Sequence, residues 1–386
     1  MKPAPEKSRT SIVGIVALAA AAVTLLFLIV VPKWDAPWDP IESREWGWRG
    51  IAMNTFTSER TRTDPLNLIP PEIPAFEPSG QPASAVYQNL QVLGGLDSAR
   101  FDHLMASITE WVAPEQGCGY CHDLTEGFAS DAIYTKQVAR TMLQMVRDIN
   151  SNSRHVGQTG VTCYTCHRGQ NIPSKVWLRG AEPKPPMGGI VGMPPPWNRT
   201  AENMRDFFPR RPFEDYLLDD KTITGAQARA VSGEVADLSK LEDIYILMMQ
   251  MSDGMGVNCT FCHNSRAFAD WSQSTPARIN AWYGIRMVQR LNNDYLVGLQ
   301  DIFPANKLGP LGDVAKVDCA TCHNGMSRPL GGAPMAAGYE ALHATGISRD
   351  AIVRETAYET RNARMAEIQA PPPDPAGLVQ GESDGE

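Results

Sequence analysis

The chain is predicted to be mainly α-helical and loop-rich, with one N-terminal transmembrane helix and a body of two pseudo-repeated lobes. Three observations predict this: an uncharged apolar run near the start, amphipathic helical periods through the body, and a cysteine-histidine pattern that recurs four times. The recurrences are CGYCH at Cys118 to His122, CYTCH at Cys163 to His167, CTFCH at Cys259 to His263 and CATCH at Cys319 to His323, and together they use all eight cysteines. Two thiols two residues apart can each add across one vinyl group of a haem, and the next residue then presents imidazole to the iron. The pattern predicts a multihaem cytochrome c with four covalently attached haem c groups. Cys118, Cys121, Cys163, Cys166, Cys259, Cys262, Cys319 and Cys322 would be the attachment points, and His122, His167, His263 and His323 the first iron ligands. Zinc ribbons need no histidine after every second cysteine, and paired Cys-x-x-Cys units are not long-range disulfide staples.

Ile12 to Val31 carries no charge, and at ~1.5 Å per residue it would span the ~30 Å core of a bilayer. Lys2, Lys7 and Arg9 precede it, while Trp34, Trp38, Trp46 and Trp48 follow. This puts residues 1–11 in the cytoplasm, the anchor at 12–31 and the body in the periplasm. A cleaved signal peptide competes, since small residues occur at Ala19 to Ala22, but the apolar run continues past them. Residues 32–84, proline-rich and without a clear period, read as an extended arm that either lies across a partner or acts as a spacer.

In the body, Phe101, Leu104, Met105, Ile108, Trp111 and Val112 fall on one helical face, and Val138, Met142, Met145, Val146 and Ile149 on another. Ser239 with Glu242 forms a capping-box pattern for a third helix, and Thr275-Pro276 starts a fourth. The lobes are placed at 85–180, for the first two haems, and 237–335, for the last two. A Pro/Gly-rich connection without strong strand signals covers 181–236, and a C-terminal extension, ending in a proline-rich acidic tail that reads as disordered, covers 336–386.

A haem that shuttles electrons needs a sixth ligand. Met105, Met142 and Met248 precede the first three motifs on apolar helical faces, where each is either a ligand or ordinary core packing. Aligning MVRDIN (Met145 to Asn150) with MVQRLN (Met287 to Asn292) puts Gly284 where Met142 stands, so the fourth unit lacks its local methionine. A ligand borrowed from elsewhere would come from His103, His155 or His343, and spacing alone leaves a surface role open for His155.

Four stretches then carry a family resemblance: ITEWVAPEQGCGYCH (Ile108 to His122), HVGQTGVTCYTCHRG (His155 to Gly169), MGVNCTFCHN (Met255 to Asn264) and STPARINAWYGIRMVQRLN (Ser274 to Asn292). Over roughly Ala85 to Leu330 the chain resembles the tetrahaem cytochrome subunit of purple-bacterial photosynthetic reaction centres. The resemblance implies Met105, Met142 and Met248 as sixth ligands of haems 1 to 3 and His155 for haem 4. It also implies a spatial order 1, 2, 4, 3, with haem 3 nearest a photo-oxidised bacteriochlorophyll special pair in neighbouring membrane subunits and with high and low potentials alternating. Met/His ligation raises potential relative to two imidazoles, which accounts for a low haem 4 and not for a low haem 1. Arg278 matches a family arginine near haem 3, where a cation disfavours ferric iron; its other reading is a first-turn surface charge. On the first reading Arg278→Leu lowers one of four potentials in a redox titration, and an unchanged curve removes it from the tuning account.

The implied function is electron transfer, not enzymatic chemistry, in a single-pass protein of the inner photosynthetic membrane. A soluble cytochrome c or high-potential iron-sulfur protein would be the donor, and no feature suggests a nucleic-acid partner. Family members are often lipid-anchored through an N-terminal cysteine, which this chain lacks, so the helix at 12–31 would replace it. The formal charge of -8 suits a basic carrier, though part of it lies in the tail. A membrane-anchored tetrahaem quinol dehydrogenase feeding periplasmic reductases is the alternative, but its haems rely largely on histidine. A catalytic multihaem enzyme would need an open iron position, which the proposed ligands do not leave.

Overall fold

The structure, a computed structural model, describes residues 10–30, 41–46, 53–157, 159–180, 212–219, 221, 223, 238–268 and 270–343. Most of the expected connection at 181–236 and the extension from 344 onward lie outside the described residues. Met1–Ile41 forms one unit, in which helix α1 (Thr10–Val30) covers most of the apolar run; Ile15, Val16, Leu18, Val23 and Leu25 are all more than 60% exposed. Among the described residues, no helix is long and apolar enough to cross a membrane.

The second unit, Glu42–Glu386, is mainly helical and rich in loops. Its long described helices are α2 (Ser98–Val112), α3 (Tyr134–Asn152), α4 (Leu238–Met255) and α5 (Pro276–Arg290). The apolar faces of α2 and α3 are buried in a single core with α4 and α5, containing Leu104, Trp111, Val146, Leu247, Ile285 and Val288. Asp97 starts α2 by accepting from Ala99 N–H (2.9 Å), and its carboxyl, bonded foremost by Ser79 N–H, is held down at about 2. Helix α4 begins at Leu238, so Ser239 lies inside it and is not its N-cap.

Two regions differ from the sequence expectation. The stretch 32–84 contains paired strands β1 (Ile41–Trp46) and β2 (Met53–Ser58), followed by short helical turns. Strands also form outside the expected connection: β3 (Val176–Trp177) runs antiparallel to β4 (Lys316–Val317). Two-residue strands are too short to show an alternating pattern, and their partners are remote in sequence. Buried Lys316 supports this pair, donating to Asp313 and to Val314 O (3.0 Å) beneath the Trp177 ring.

Several bonds recur in matching form at two places in the body. Asn150 Nδ2 donates to Val161 O (3.0 Å) and Leu342 O (2.8 Å) while its Oδ1 accepts from Val161 N–H (2.7 Å). Asn292 makes the same set with Val317 O (3.0 Å), Leu217 O (2.9 Å) and Val317 N–H (2.9 Å). Gly169 N–H donates to Trp111 O on α2 (2.9 Å), and Gly325 N–H to Gly254 O on α4 (2.8 Å). Asp148 and Arg290, which occupy equivalent places in MVRDIN and MVQRLN, pair with each other at 3.1 Å.

Asn292 is fully buried, so Asn292→Ala strands two carbonyls and an N–H away from water. At roughly 1 kcal/mol or more for each lost bond, the expected destabilisation is about 3 kcal/mol. Denaturant melts of the haem-loaded chain measure it, and a loss below about 1 kcal/mol would contradict this account of the asparagine.

Candidate functional site

The four motifs adopt two local forms. CYTCH and CATCH are single helical turns, Cys163–His167 and Cys319–His323, each opened by a capping box: Thr162 with Thr165, and Asp318 with Thr321. Each turn ends on a left-handed residue, Arg168 (φ 51°) and Asn324 (φ 46°), followed by a glycine with positive φ. CGYCH and CTFCH instead form 3₁₀ turns, Gly117–Tyr120 and Cys259–Phe261. These are tied to the following helix by matching bonds, Thr135 Oγ1 to Tyr120 O and Thr275 Oγ1 to Phe261 O (2.6 Å).

All four motif histidines are oriented alike. Nδ1 lies against a downstream carbonyl in each: Phe128 O for His122 (3.1 Å), Gln170 O for His167 (2.9 Å), Phe268 O for His263 (2.8 Å) and Met326 O for His323 (2.7 Å). A carbonyl only accepts, so Nδ1 carries the proton and Nε2 keeps a lone pair for a metal. Burial lowers the pKa of all four, and that of His323 to about 4, so the rings are neutral near pH 7.

His155 has the same orientation, with Nδ1 against Asn280 O (2.8 Å), and its ring centroid is 5.8 Å from that of His323. The other two spare histidines engage Nε2 instead, His103 with Ile73 O (2.8 Å) and His343 with Ala336 O (3.2 Å). The loop before His155 is pinned to α5 by Ser153 Oγ to Met287 Sδ (3.0 Å) and Arg154 Nη1 to the Tyr283 hydroxyl (2.9 Å). Directly beneath the ring is Gly284: a Cβ there would stand 2.9 Å from His155 Cε1. The gap in the methionine pattern is the space that the imidazole occupies.

A cavity of about 530 Å³ joins the two helical-turn motifs, with Met142, His155, Cys166, His167, Cys322 and His323 in its wall. Its other walls are largely aliphatic, including Ile108, Val138, Leu143 and Val146, as an apolar planar ring requires. Met105 and Met248 are half-buried against the core and are not among the residues of this wall. Cys166 Sγ and Cys322 Sγ approach to 2.9 Å, while Cys121 is close enough to Cys163 to act on its thiol. Cys118 is exposed, as are Leu124 and Phe128 after motif 1 and Phe268 after motif 3, whereas Cys163 of motif 2 and His323 of motif 4 are buried. Among the described residues, no three His, Cys, Asp or Glu side chains converge as a bare metal ion would require. The donor set fits haem: two thiols, one oriented imidazole and an apolar wall.

The model of the family described as "Photosynthetic reaction centre cytochrome C subunit" matches residues 36–343. The chain belongs to this family. Photosynthetic reaction center cytochrome c subunits similar to it include that of Rubrivivax gelatinosus (strain NBRC 100245 / IL144), 42% identical over 309 residues, covering 78% of this chain and 84% of the relative. That of Thermochromatium tepidum is 41% identical over 87% of this chain and 83% of its own length, and that of Roseobacter denitrificans (strain ATCC 33942 / OCh 114) 36% identical over 86% and 92%. As a member, the chain is an electron-transfer subunit that associates with the reaction centre and its photosynthetic membrane and carries covalently bound haem c. The quinol dehydrogenase alternative is not favoured by these matches.

Arg278, expected near haem 3, stacks over Trp271 (4.0 Å from the guanidinium carbon to the ring centre) and donates to Ser274 Oγ (2.7 Å). Its charge acts on Cys262 and on His263. Sequence reasoning missed Arg168 and the Cys166–Cys322 contact. The recurring His-x-Gly after motifs 2 and 4 was the available signal, since the glycine completes a left-handed turn.

Proposed function

We propose that the chain carries four haems and passes electrons along them from a soluble periplasmic carrier to the photo-oxidised special pair of the membrane subunits. The residues that would hold the groups are the eight motif cysteines, with His122, His167, His263 and His323 as one iron ligand each. Met105, Met142, Met248 and His155 would be the second ligands of haems 1 to 4. Bound haem supplies a one-electron iron couple whose potential follows ligation and burial. The chain's own part is to orient each imidazole and to line the space between motifs 2 and 4 with apolar side chains.

The observation that carries the reading is the contact of motifs 2 and 4 through Cys166 and Cys322, with exposed apolar side chains next to motifs 1 and 3, Leu124, Phe128 and Phe268. An electron entering at motif 1 would cross at that contact and leave at motif 3. This supports the order 1, 2, 4, 3, as do the matched bonds of the two halves, which we read as two haem-pair lobes. For His155, support comes from its orientation, its separation from His323 and the glycine beneath it.

We read the segment 12–31 as a single-pass anchor with the body on the periplasmic side, supported by the uncharged sequence from Ile12 to Val31 and by Lys2, Lys7 and Arg9 before it. Flash spectroscopy on membranes containing the protein tests the function. One saturating flash should oxidise a haem as the special pair is re-reduced. A silent haem band after the flash, with reduction by added quinol in the dark, would return the quinol dehydrogenase reading.

A further inference from the structure

At the junction of the inner motifs lies a buried cation that the electron path as described does not use. Arg168 follows His167 directly, is only 6% exposed and holds a left-handed backbone. Its guanidinium reaches the opposite motif: Nη2 donates to Cys322 O (2.6 Å), while Nη1 donates to Leu66 O and to Asn67 Oδ1 (2.8 Å). These partners are neutral oxygens, so the charge is not cancelled at contact. Asp64, the nearby acid of the same segment, is engaged with Leu66 N–H (2.8 Å).

The equivalent place after the fourth motif holds Asn324, also buried and left-handed but uncharged. Asn67 links the two, accepting from Asn324 Nδ2 (3.2 Å) and donating to Asn324 O (3.2 Å) and Thr61 O (2.7 Å). One positive charge thus stands beside two sulfurs that are 2.9 Å apart, and it acts on both. Ferric haem carries one more positive charge than ferrous haem. A fixed cation near both haem edges therefore disfavours oxidation of either, and burial limits screening of that effect.

We propose that Arg168 is a positioning residue shared by haems 2 and 4, a cation clamped at their junction by Leu66 and Asn67 that raises the potentials of both. This rests on the four-haem reading above. The test is a spectroelectrochemical titration of the intact chain, with haem content measured in parallel. Arg168→Gln should keep four haems and move two of four reduction steps to lower potential, leaving the other two in place, while Arg168→Lys should stay close to the parent. A superimposable Gln curve, a shift of all four steps, or an equal shift in the Lys variant would overturn the proposal. If the Gln variant fails to load haem, Asn67→Asp sets an anion against the guanidinium and should lower the same two steps; an unchanged curve there overturns the proposal too. Fewer than four haems in the parent chain would overturn the reading beneath it as well.

Discussion

His155→Ala is expected to leave one haem of four five-coordinate, and the reduced protein should then bind carbon monoxide at that haem where the parent binds none. The expectation follows from the two imidazoles of the site. His323 keeps its Nε2 free, because its Nδ1 is bonded to Met326 O. His155 likewise keeps its Nε2 free, because its Nδ1 is bonded to Asn280 O, and its ring centre lies 5.8 Å from that of His323. No methionine can take its place locally, since α5 has Gly284 at the position corresponding to Met142.

The glycine gives a second route to the same result. Gly284 lies in a regular helix, so alanine would not strain the backbone, yet its Cβ would stand 2.9 Å from Cε1 and 3.0 Å from Nδ1 of His155. Gly284→Ala should therefore displace the imidazole and open the same haem. The double variant His155→Ala/Gly284→Met should close it again with a thioether and raise its potential, because Met/His ligation lies above two imidazoles. Carbon monoxide difference spectra and a redox titration read all three variants. Absence of carbon monoxide binding in His155→Ala would remove His155 from the iron.

Much of this site was legible locally, because its chemistry is written in short spacings. The motif residues, the helices before them and the missing methionine at Gly284 all follow from patterns within about twenty residues. What was not legible depends on contacts between distant segments. Cys166 and Cys322 are 156 positions apart, and the Arg168 bond to Leu66 spans 102. One sequence carries no periodicity that reports such pairings. The arm illustrates the difference: its irregular composition left a spacer and a partner-binding strap equally open, whereas Leu66 and Asn67 lie on the chain's own motifs 2 and 4. Ser239 shows the opposite error, a local capping pattern that the helix start at Leu238 overrides.

Haem removal should have the largest effect on stability. The cavity joining the inner motifs measures about 530 Å³. Without haem, its largely aliphatic walls would face either water or a void, and both are unfavourable. The folded body therefore depends on the haems that fill it. The thiols point the same way: burial pushes those of Cys163 and Cys319 up to about 12 and that of Cys262 to about 11. At neutral pH such groups hold almost no thiolate, the reactive form, and the lobes cover them. Attachment is therefore expected to precede folding of the body, with each haem joining an open chain that folds around it. A chain produced without haem attachment should show no cooperative thermal transition by near-ultraviolet circular dichroism, and its body should be cut by protease at many sites. Recovery of a haem-free chain that melts cooperatively near the temperature of the loaded protein would overturn both the energetic argument and the order of assembly.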